Sequence, residues 1–303
     1  PVMADDAIFQ VLTLPGRPWA EYREQVLRVE ALGFDIAAVP DHFCDWANPP
    51  APWLECWALM AALAVETSTI RLATNVAQIP LRHPGVLAHQ AVTVDHISGG
   101  RLELGVGTGL MIDPGTEMIG LPNWSNGERA ARFAEYVELL GLLLSQPVTS
   151  YAGEYYRASE AVMNPSSLQS PRVPVIAAAL GPKMMSHAAR FADGWNTMSF
   201  SADFDTQLVE LTERNVHMDR LCEEAGRDPA SLRRSVNLFD ATARAAGGRL
   251  RYYDDTDLLG ELIERLRDAG FQEFGLYYPS DPSQIEAFEH SASAVIPRLR
   301  TAR

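Results

Sequence analysis

Lysine is almost missing from this sequence. Of its 25 basic residues only Lys183 is a lysine; all the others are arginine. Bases are themselves outnumbered, with 39 acids giving a net charge of −14. A surface of that sign repels phosphate backbones, so a nucleic-acid partner is not expected. Cysteine is also scarce. Cys44, Cys56 and Cys222 are an odd, scattered set without metal-ligand spacing. They offer neither a disulfide framework nor a metal site, and they fit a reducing cytoplasm. No apolar run is long enough to span a bilayer, so no membrane partner is expected. The chain does not open on a basic segment followed by an apolar core, so a secretory leader is not expected either. The Gly-x-Ser-x-Gly elbow of a hydrolase is missing. So are internal repeats, low-complexity tracts and linkers.

What is present is ordinary globular composition: 303 residues, 47% hydrophobic and 21% charged. That supports one substantial core. Strand-like and helix-like segments alternate throughout, which points to a parallel sheet with crossover helices. The expected strands are 8–13, 35–39, 70–76, 101–106, 173–178, 194–198, 235–239 and 273–278. The expected helices are 20–32, 54–66, 84–97, 128–144, 182–191, 203–225, 254–269 and 283–299. Gly33 sits where a helix C-cap belongs, and Pro84 where a helix opens. A hairpin is expected around Tyr151–Tyr156, turning at Gly153. Eight strand–helix units predict an α/β fold: a single TIM (β/α)8 barrel over residues 1–303 with a small hairpin insertion.

In such a barrel the residues just past each strand face the site. Four exits stand out. The second strand stops at Pro40 and is followed by Asp41-His42-Phe43-Cys44-Asp45-Trp46. An imidazole there can trade protons near neutral pH, and an indole can wall a flat ligand. Alone, the pair reads first as a turn cap and a satisfied core histidine, and the other strand exits overturn that reading. The third strand exits through Thr74-Asn75-Val76-Ala77-Gln78. The fourth exits through Gly105-Val106-Gly107-Thr108-Gly109, where glycine lets a ligand touch backbone. No helix starts directly behind it, so it is not a dinucleotide fingerprint. The fifth exits through Ala178-Ala179-Leu180-Gly181-Pro182-Lys183-Met184. Free N–H groups and a positive dipole at that helix start suit a phosphate. Lys183 either adds charge there or points to solvent. His83, His89 and His96 do not share one helix face, and His83 and His96 read as structural or solvent-facing.

Together these segments resemble the luciferase-like superfamily of flavin and deazaflavin oxidoreductases. The resemblance runs through Gly33-Phe34-Asp35, Asp41-His42-Phe43, Arg71-Leu72-Ala73-Thr74-Asn75-Val76, Arg82-His83-Pro84 and Ser98-Gly99-Gly100-Arg101-Leu102. It continues through Leu104–Gly109, Gly153-Glu154-Tyr155-Tyr156, Ala188–Trp195 and Gly226-Arg227-Asp228-Pro229. Asp41-His42-Phe43 with Trp46, and the Gly107-Thr108-Gly109 loop, are similar to the branch that uses the deazaflavin coenzyme F420.

The resemblance implies roles. Asp41, Gln78, Gly107 and Thr108 would contact the cofactor, and Asn75 and Val76 would support its ring on a bulge with a cis peptide. Leu180, Gly181, Lys183 and Met184 would hold its phosphate-bearing tail. His42 would move the proton and Trp46 would lie over the active face. Two departures from the sugar-phosphate dehydrogenases of that branch matter. Leu110 stands where they carry a catalytic Glu after Gly-Thr-Gly, and the lysines that grip a sugar phosphate are missing. An alcohol, alkene or imine substrate is therefore expected instead. The loop from Met111 to Asn126, with Trp124, is expected to shape its pocket. The alternative is a monooxygenase using reduced FMN and oxygen; a ligand-binding member without turnover is a third possibility. The helix 54–66 is apolar on more than one face, and the resemblance implies that it meets a second copy in a homodimer.

Overall fold

The computed structural model describes residues 7–240, 249–254 and 256–301. In chain order the elements are β1 (Ile8–Leu12), α1 (Trp19–Ala31), β2 (Ile36–Val39), α2 (Cys56–Glu66), β3 (Arg71–Gln78), α3 (Pro84–Ser98) and β4 (Leu102–Gly107). A short α4 (Gly115–Met118) precedes α5 (Asn126–Ser145), and the hairpin is β5 (Val148–Ala152) with β6 (Arg157–Val162). Then come β7 (Val175–Ala178), α6 (Pro182–Phe191), β8 (Gly194–Thr197), α7 (Phe204–Glu224) and β9 (Arg233–Asn237). Two short strands, β10 (Phe239–Asp240) and β11 (Arg249–Leu250), lead to α8 (Thr256–Asp268) and β12 (Glu273–Tyr277). The last helix is broken by a π turn at Ser291–Val295, between α9 (Ile285–His290) and α10 (Ile296–Thr301).

Eight of these strands close into a parallel barrel in the order β1-β12-β9-β8-β7-β4-β3-β2. This is a TIM barrel, and strands such as β2 and β7 read as short apolar runs because helices cover their outer faces. Strand β2, Ile36-Ala37-Ala38-Val39, is buried at every position. The helices start and stop where their local chemistry dictates. Glu55 and Ser125 accept N–H bonds at the starts of α2 and α5. Gly99 takes the left-handed conformation that ends α3.

Most expected elements are present with ends shifted by one or two residues. Three details differ, besides the π turn that breaks the last helix. The seventh barrel strand runs Arg233–Asn237, and Phe239 instead begins the β10–β11 pair. The expected 70–76 strand extends to Gln78, through a register shift against β4 between Thr74 and Ala77. Such a bulge re-aims the residues it contains. Helix α4 forms inside the segment expected as loop. Residue 255, within the expected 254–269 helix, lies outside the described residues.

The closed end of the barrel, where the strands begin, is plugged by charge. Glu103 bonds Arg71 Nε at 2.6 Å and also pairs with Arg233. Arg233 Nε lies 3.0 Å from Glu273 Oε2. Burial opposes ionisation of both carboxyls. The two arginines outweigh it at Glu103, whose pKa is lowered. At Glu273 burial wins, and the pKa is raised.

Candidate active site

The open end of the barrel holds a cavity of about 260 Å³ lined from all eight barrel strands or the turns after them. The loop after β2 gives it His42, Asp45, Trp46 and Trp53. The bulge in β3 gives Asn75, Val76 and Gln78. The peptide between Asn75 and Val76 is cis, as the resemblance implied. The exit of β4 gives Gly107, Thr108, Gly109 and Leu110, and the β7–α6 turn gives Leu180, Gly181 and Met184. Side chains from β8, β9 and β12 complete the wall.

His42 is the centre of a polar network. Its side chain is 16% exposed, and Nδ1 lies 2.6 Å from Asp113 Oδ2. Asp113 Oδ1 accepts the Gly115 N–H at 2.8 Å. Gln78 Nε2 donates to the Asp41 carbonyl at 2.8 Å and to Asp113 Oδ2 at 3.2 Å. Gln78 Nε2 also lies 2.9 Å from Nδ1, but the shorter contact is to a carboxylate, which only accepts, so Nδ1 is assigned the proton and donates it to Asp113. Nε2 is left without a partner among the described residues. Burial opposes ionisation of Asp113, but His42, the Gly115 N–H and Gln78 together hold its carboxyl below the usual range. The arrangement is a carboxylate-oriented imidazole at a cavity wall, the geometry of a proton donor or acceptor.

Two expected cofactor contacts fall elsewhere. Asp41 is buried and does not line the cavity. Its carboxylate pairs with both terminal nitrogens of Arg82, at 3.0 Å for Nη2–Oδ1, and Oδ2 accepts the Gln78 N–H at 3.3 Å. It anchors the loop that carries His42 to the turn after β3. Lys183 is exposed and outside the cavity lining, because the first turn of α6 points it to solvent. Trp124, expected at the pocket, instead lies over Arg132, whose guanidinium carbon is 4.3 Å from the ring centre. Trp53 takes the wall beside Trp46. It meets the His42 ring edge-on at 5.9 Å and donates Nε1–H to the His42 carbonyl at 3.0 Å.

The glycine loop is shaped by what surrounds it. A Cβ on Gly107 would lie 2.5 Å from Val76 Cγ2, and one on Gly109 2.2 Å from Gln78 Oε1. Behind the loop, buried Arg129 bonds the Thr108 carbonyl and, at 2.9 Å, that of Trp124. Gly181 differs: a Cβ there would meet no protein atom within 4 Å. It opens a ten-residue helix with Pro182 in its first turn and no side-chain cap, so the first N–H groups after Pro182 have no capping side chain.

Sequence reading missed Asp113, Arg129 and Trp53. It also missed the floor, where Asn237 exchanges amide hydrogen bonds with Asn75 at 3.3 Å and with Asn196 at 3.2 Å. Asn196 and Asn237 lie near or at the ends of inward-facing strands, which was the available signal. His83 and His96 are structural as expected: His83 Nδ1 caps α3, and His96 Nε2 bonds the Ser166 carbonyl at 2.8 Å.

The family model described as luciferase-like monooxygenase matches residues 7–274. An F420-dependent glucose-6-phosphate dehydrogenase of Nakamurella multipartita is 33% identical, over 93% of this chain and 93% of its own length. The pyrimidine monooxygenase RutA of a Bradyrhizobium species is 29% identical, over 79% of this chain and 66% of its own. Among solved structures, an F420-dependent secondary alcohol dehydrogenase in complex with an F420–acetone adduct superimposes with a TM-score of 0.80. It covers 97% of this chain and 99% of its own at 20% identity. That last likeness concerns the fold alone.

Proposed function

The chain belongs to the luciferase-like monooxygenase family, and we propose that it is an oxidoreductase passing hydride between coenzyme F420 and a small alcohol, alkene or imine. The single observation that carries the reading is the layout of the cavity. A carboxylate-held imidazole lies on one side, and on the other an uncapped helix start opens onto empty space. The full-length F420-dependent relative supports the choice of cofactor.

The residues present fit such a group. Gly181 leaves room that a Cβ would partly fill, and the first-turn N–H groups of α6 suit a phosphate. Gly107, Thr108 and the Asn75–Val76 bulge offer backbone and side-chain contacts to a flat ring, with Gln78, Leu180 and Met184 beside them. Asp41 supports this site from behind, through Gln78 and Arg82, and Lys183 adds charge only from the solvent side.

F420, when bound, supplies a ring carbon that gives or takes hydride. The chain does the rest. His42 Nε2 takes the substrate proton in oxidation or gives it in reduction. Asp113 holds the ring so that Nε2 faces the cavity, and stabilises the imidazolium when the proton resides there. Trp46 and Trp53 keep water from that edge. We further infer one barrel domain that pairs into a homodimer. A groove of about 680 Å³ lies between α2, α3 and the β5–β6 hairpin, and Trp57, Val86 and Val162 help to line it. Val65, Val86 and Val162 are each more than half exposed. Three buried, free thiols support a cytoplasmic location.

The alternative, reduced FMN with oxygen, draws on the monooxygenase relative. Titrating the purified protein with F420 and with FMN separates the two by their absorption spectra. Saturable binding of F420 with weak or no FMN binding is expected; the reverse transfers the protein to the oxygen-using branch. Light scattering at micromolar concentration is expected to give twice the chain mass, and a monomer overturns the dimer.

A further inference from the structure

We propose that the Tyr277 hydroxyl is the substrate's hydrogen-bond partner, and that the substrate it selects is uncharged, an apolar body carrying one carbonyl or hydroxyl oxygen. This rests on the oxidoreductase reading above and names the substrate class for the same cavity.

Tyr277 is the last residue of β12. It lines the cavity while being 7% exposed. Its backbone is pinned: the N–H goes to Tyr252 Oη at 3.1 Å, and its carbonyl accepts from Tyr253 Oη at 2.6 Å. The ring is packed against Phe239, with centres 5.4 Å apart. The hydroxyl itself has no hydrogen-bond partner among the described residues. Buried polar groups are nearly always paired, and a fixed, unpaired phenol on a cavity wall marks a place where a ligand atom completes the bond. Burial alone accounts for the raised pKa of this phenol, so it stays a donor throughout the working range of pH.

Position within the barrel agrees. Strand β1 lies between β12 and β2, so Tyr277 and His42 flank the end of β1. That end gives the cavity only Leu12 and Leu14. The helix start at Gly181 follows β7, four strands from β1 by either route around the ring. The β1 exit is therefore an apolar stretch of the mouth, with a proton-transfer group at one flank and a phenol donor at the other.

Charge disfavours an anionic substrate on this side of the cavity. No arginine or lysine is among the residues that line the cavity. Its one carboxylate, Asp45, accepts the N–H groups of Ala47 and Asn48. An anionic substrate would lose its hydration with no cation to replace it. Phe200 in the lining is close to half exposed, and Phe43, Met111 and Ile112, which follow the lining residues His42 and Leu110 in sequence, are close to or more than half exposed too.

The test compares the full-length protein with Tyr277→Phe, using butanone, cyclohexanone and cyclohexanol as oxygen-bearing probes. Methylcyclohexene serves as an apolar probe and glucose 6-phosphate as an anionic one. Binding is read first without cofactor by ligand-observed NMR titration, then as kcat/KM in the presence of F420. A lost neutral hydrogen bond corresponds to about a 2- to 10-fold loss. Tyr277→Phe should weaken the ketones and the alcohol by that factor, mostly in KM. It should leave methylcyclohexene binding, F420 binding and the melting temperature unchanged. Equal affinities in the two proteins, no saturable binding of any oxygen-bearing probe, or a preference for glucose 6-phosphate overturns the proposal. Failure of F420 to bind the wild type would instead sink the functional reading, while the NMR comparison still tests Tyr277.

Discussion

Asp113 Oδ2 lies 2.6 Å from His42 Nδ1 across 71 positions of sequence, joining the loop after β2 to the loop after β4. A buried carboxylate in that place fixes both the ring and its tautomer. Asp113→Asn keeps the shape but removes the charge that holds Nδ1–H. We expect kcat to fall about 10- to 100-fold, up to the lower limit of the roughly 10²–10⁴ range for losing a general acid or base outright, with KM and F420 affinity near wild type. Asp113→Glu should recover part of the loss. A variant with unchanged kcat would show that the pair is structural.

The same pair makes an acid-stability prediction. The Asp113 carboxyl has a pKa below its ordinary value. A depressed carboxyl contributes stability that is fully present above the unfolded value, about 3.9 for Asp, and that is lost as pH falls through the lower folded value. The stability gap between wild type and Asp113→Asn should therefore be flat at neutral pH and shrink below about pH 4. Urea unfolding at a series of pH values measures it. A gap that widens on acidification would contradict the assignment.

Asp41 is expected to act on stability. Its carboxylate is buried against Arg82, itself only 12% exposed. Removing one partner of a buried pair leaves the other charge uncompensated, typically at a cost of roughly 3–5 kcal/mol. Asp41→Asn should lower unfolding stability by that order, and activity should fall along with the folded fraction. If stability holds while F420 affinity collapses, Asp41 touches the cofactor, as the family resemblance implies.

How far the sequence reveals this protein depends on the range of the interactions. The barrel is legible because each strand and helix declares itself within a few residues. Examples are the apolar run Ile36–Val39 and the glycine that ends α3. The mouth is legible for the same reason: whatever follows a strand must face it. Pairings between loops are not legible. Asp113 lies in an irregular segment with no periodicity, and only closure of the barrel brings it to His42. Asp41 shows the converse. The family resemblance implies a cofactor contact there, and the arginine it pairs with is 41 positions away. Tyr277 and Asn237 end ordinary buried strands, so nothing local separates them from core residues.

Gly109 should be intolerant of a side chain for two separable reasons. Its φ of 71° strains any L-residue, and a Cβ would lie 2.2 Å from Gln78 Oε1. Gly33, at φ 79° with no atom within 4 Å of a built Cβ, carries the first burden alone. Gly33→Ala should cost about 1–2 kcal/mol of stability, the usual left-handed penalty, and spare activity. Gly109→Ala should cost more and also lower kcat, because Gln78 must leave its bonds to Asp41 and Asp113. Equal stability losses in the two variants, with activity retained in both, would remove the proposed contact.

His42 carries the sharpest expectation. It sits at the cavity wall with Nε2 unpartnered among the described residues, whereas the features suited to holding a phosphate lie at Gly181 on another strand exit. Replacing His42 with Ala should therefore separate chemistry from binding. Turnover should fall by at least about two orders of magnitude, the lower bound for losing a general acid or base. F420 affinity should change little, and the melting temperature should fall only modestly, since Asp113 loses its imidazole partner but keeps its bonds to Gly115 and Gln78. A structural histidine would behave in the opposite way, with a lower melting temperature and activity lost only through unfolding. The measurement is steady-state turnover of the variant beside a thermal melt and a cofactor titration. A stable His42→Ala protein with near-normal turnover would remove His42 from the chemistry and move the assignment toward FMN and oxygen or toward another proton donor at the cavity.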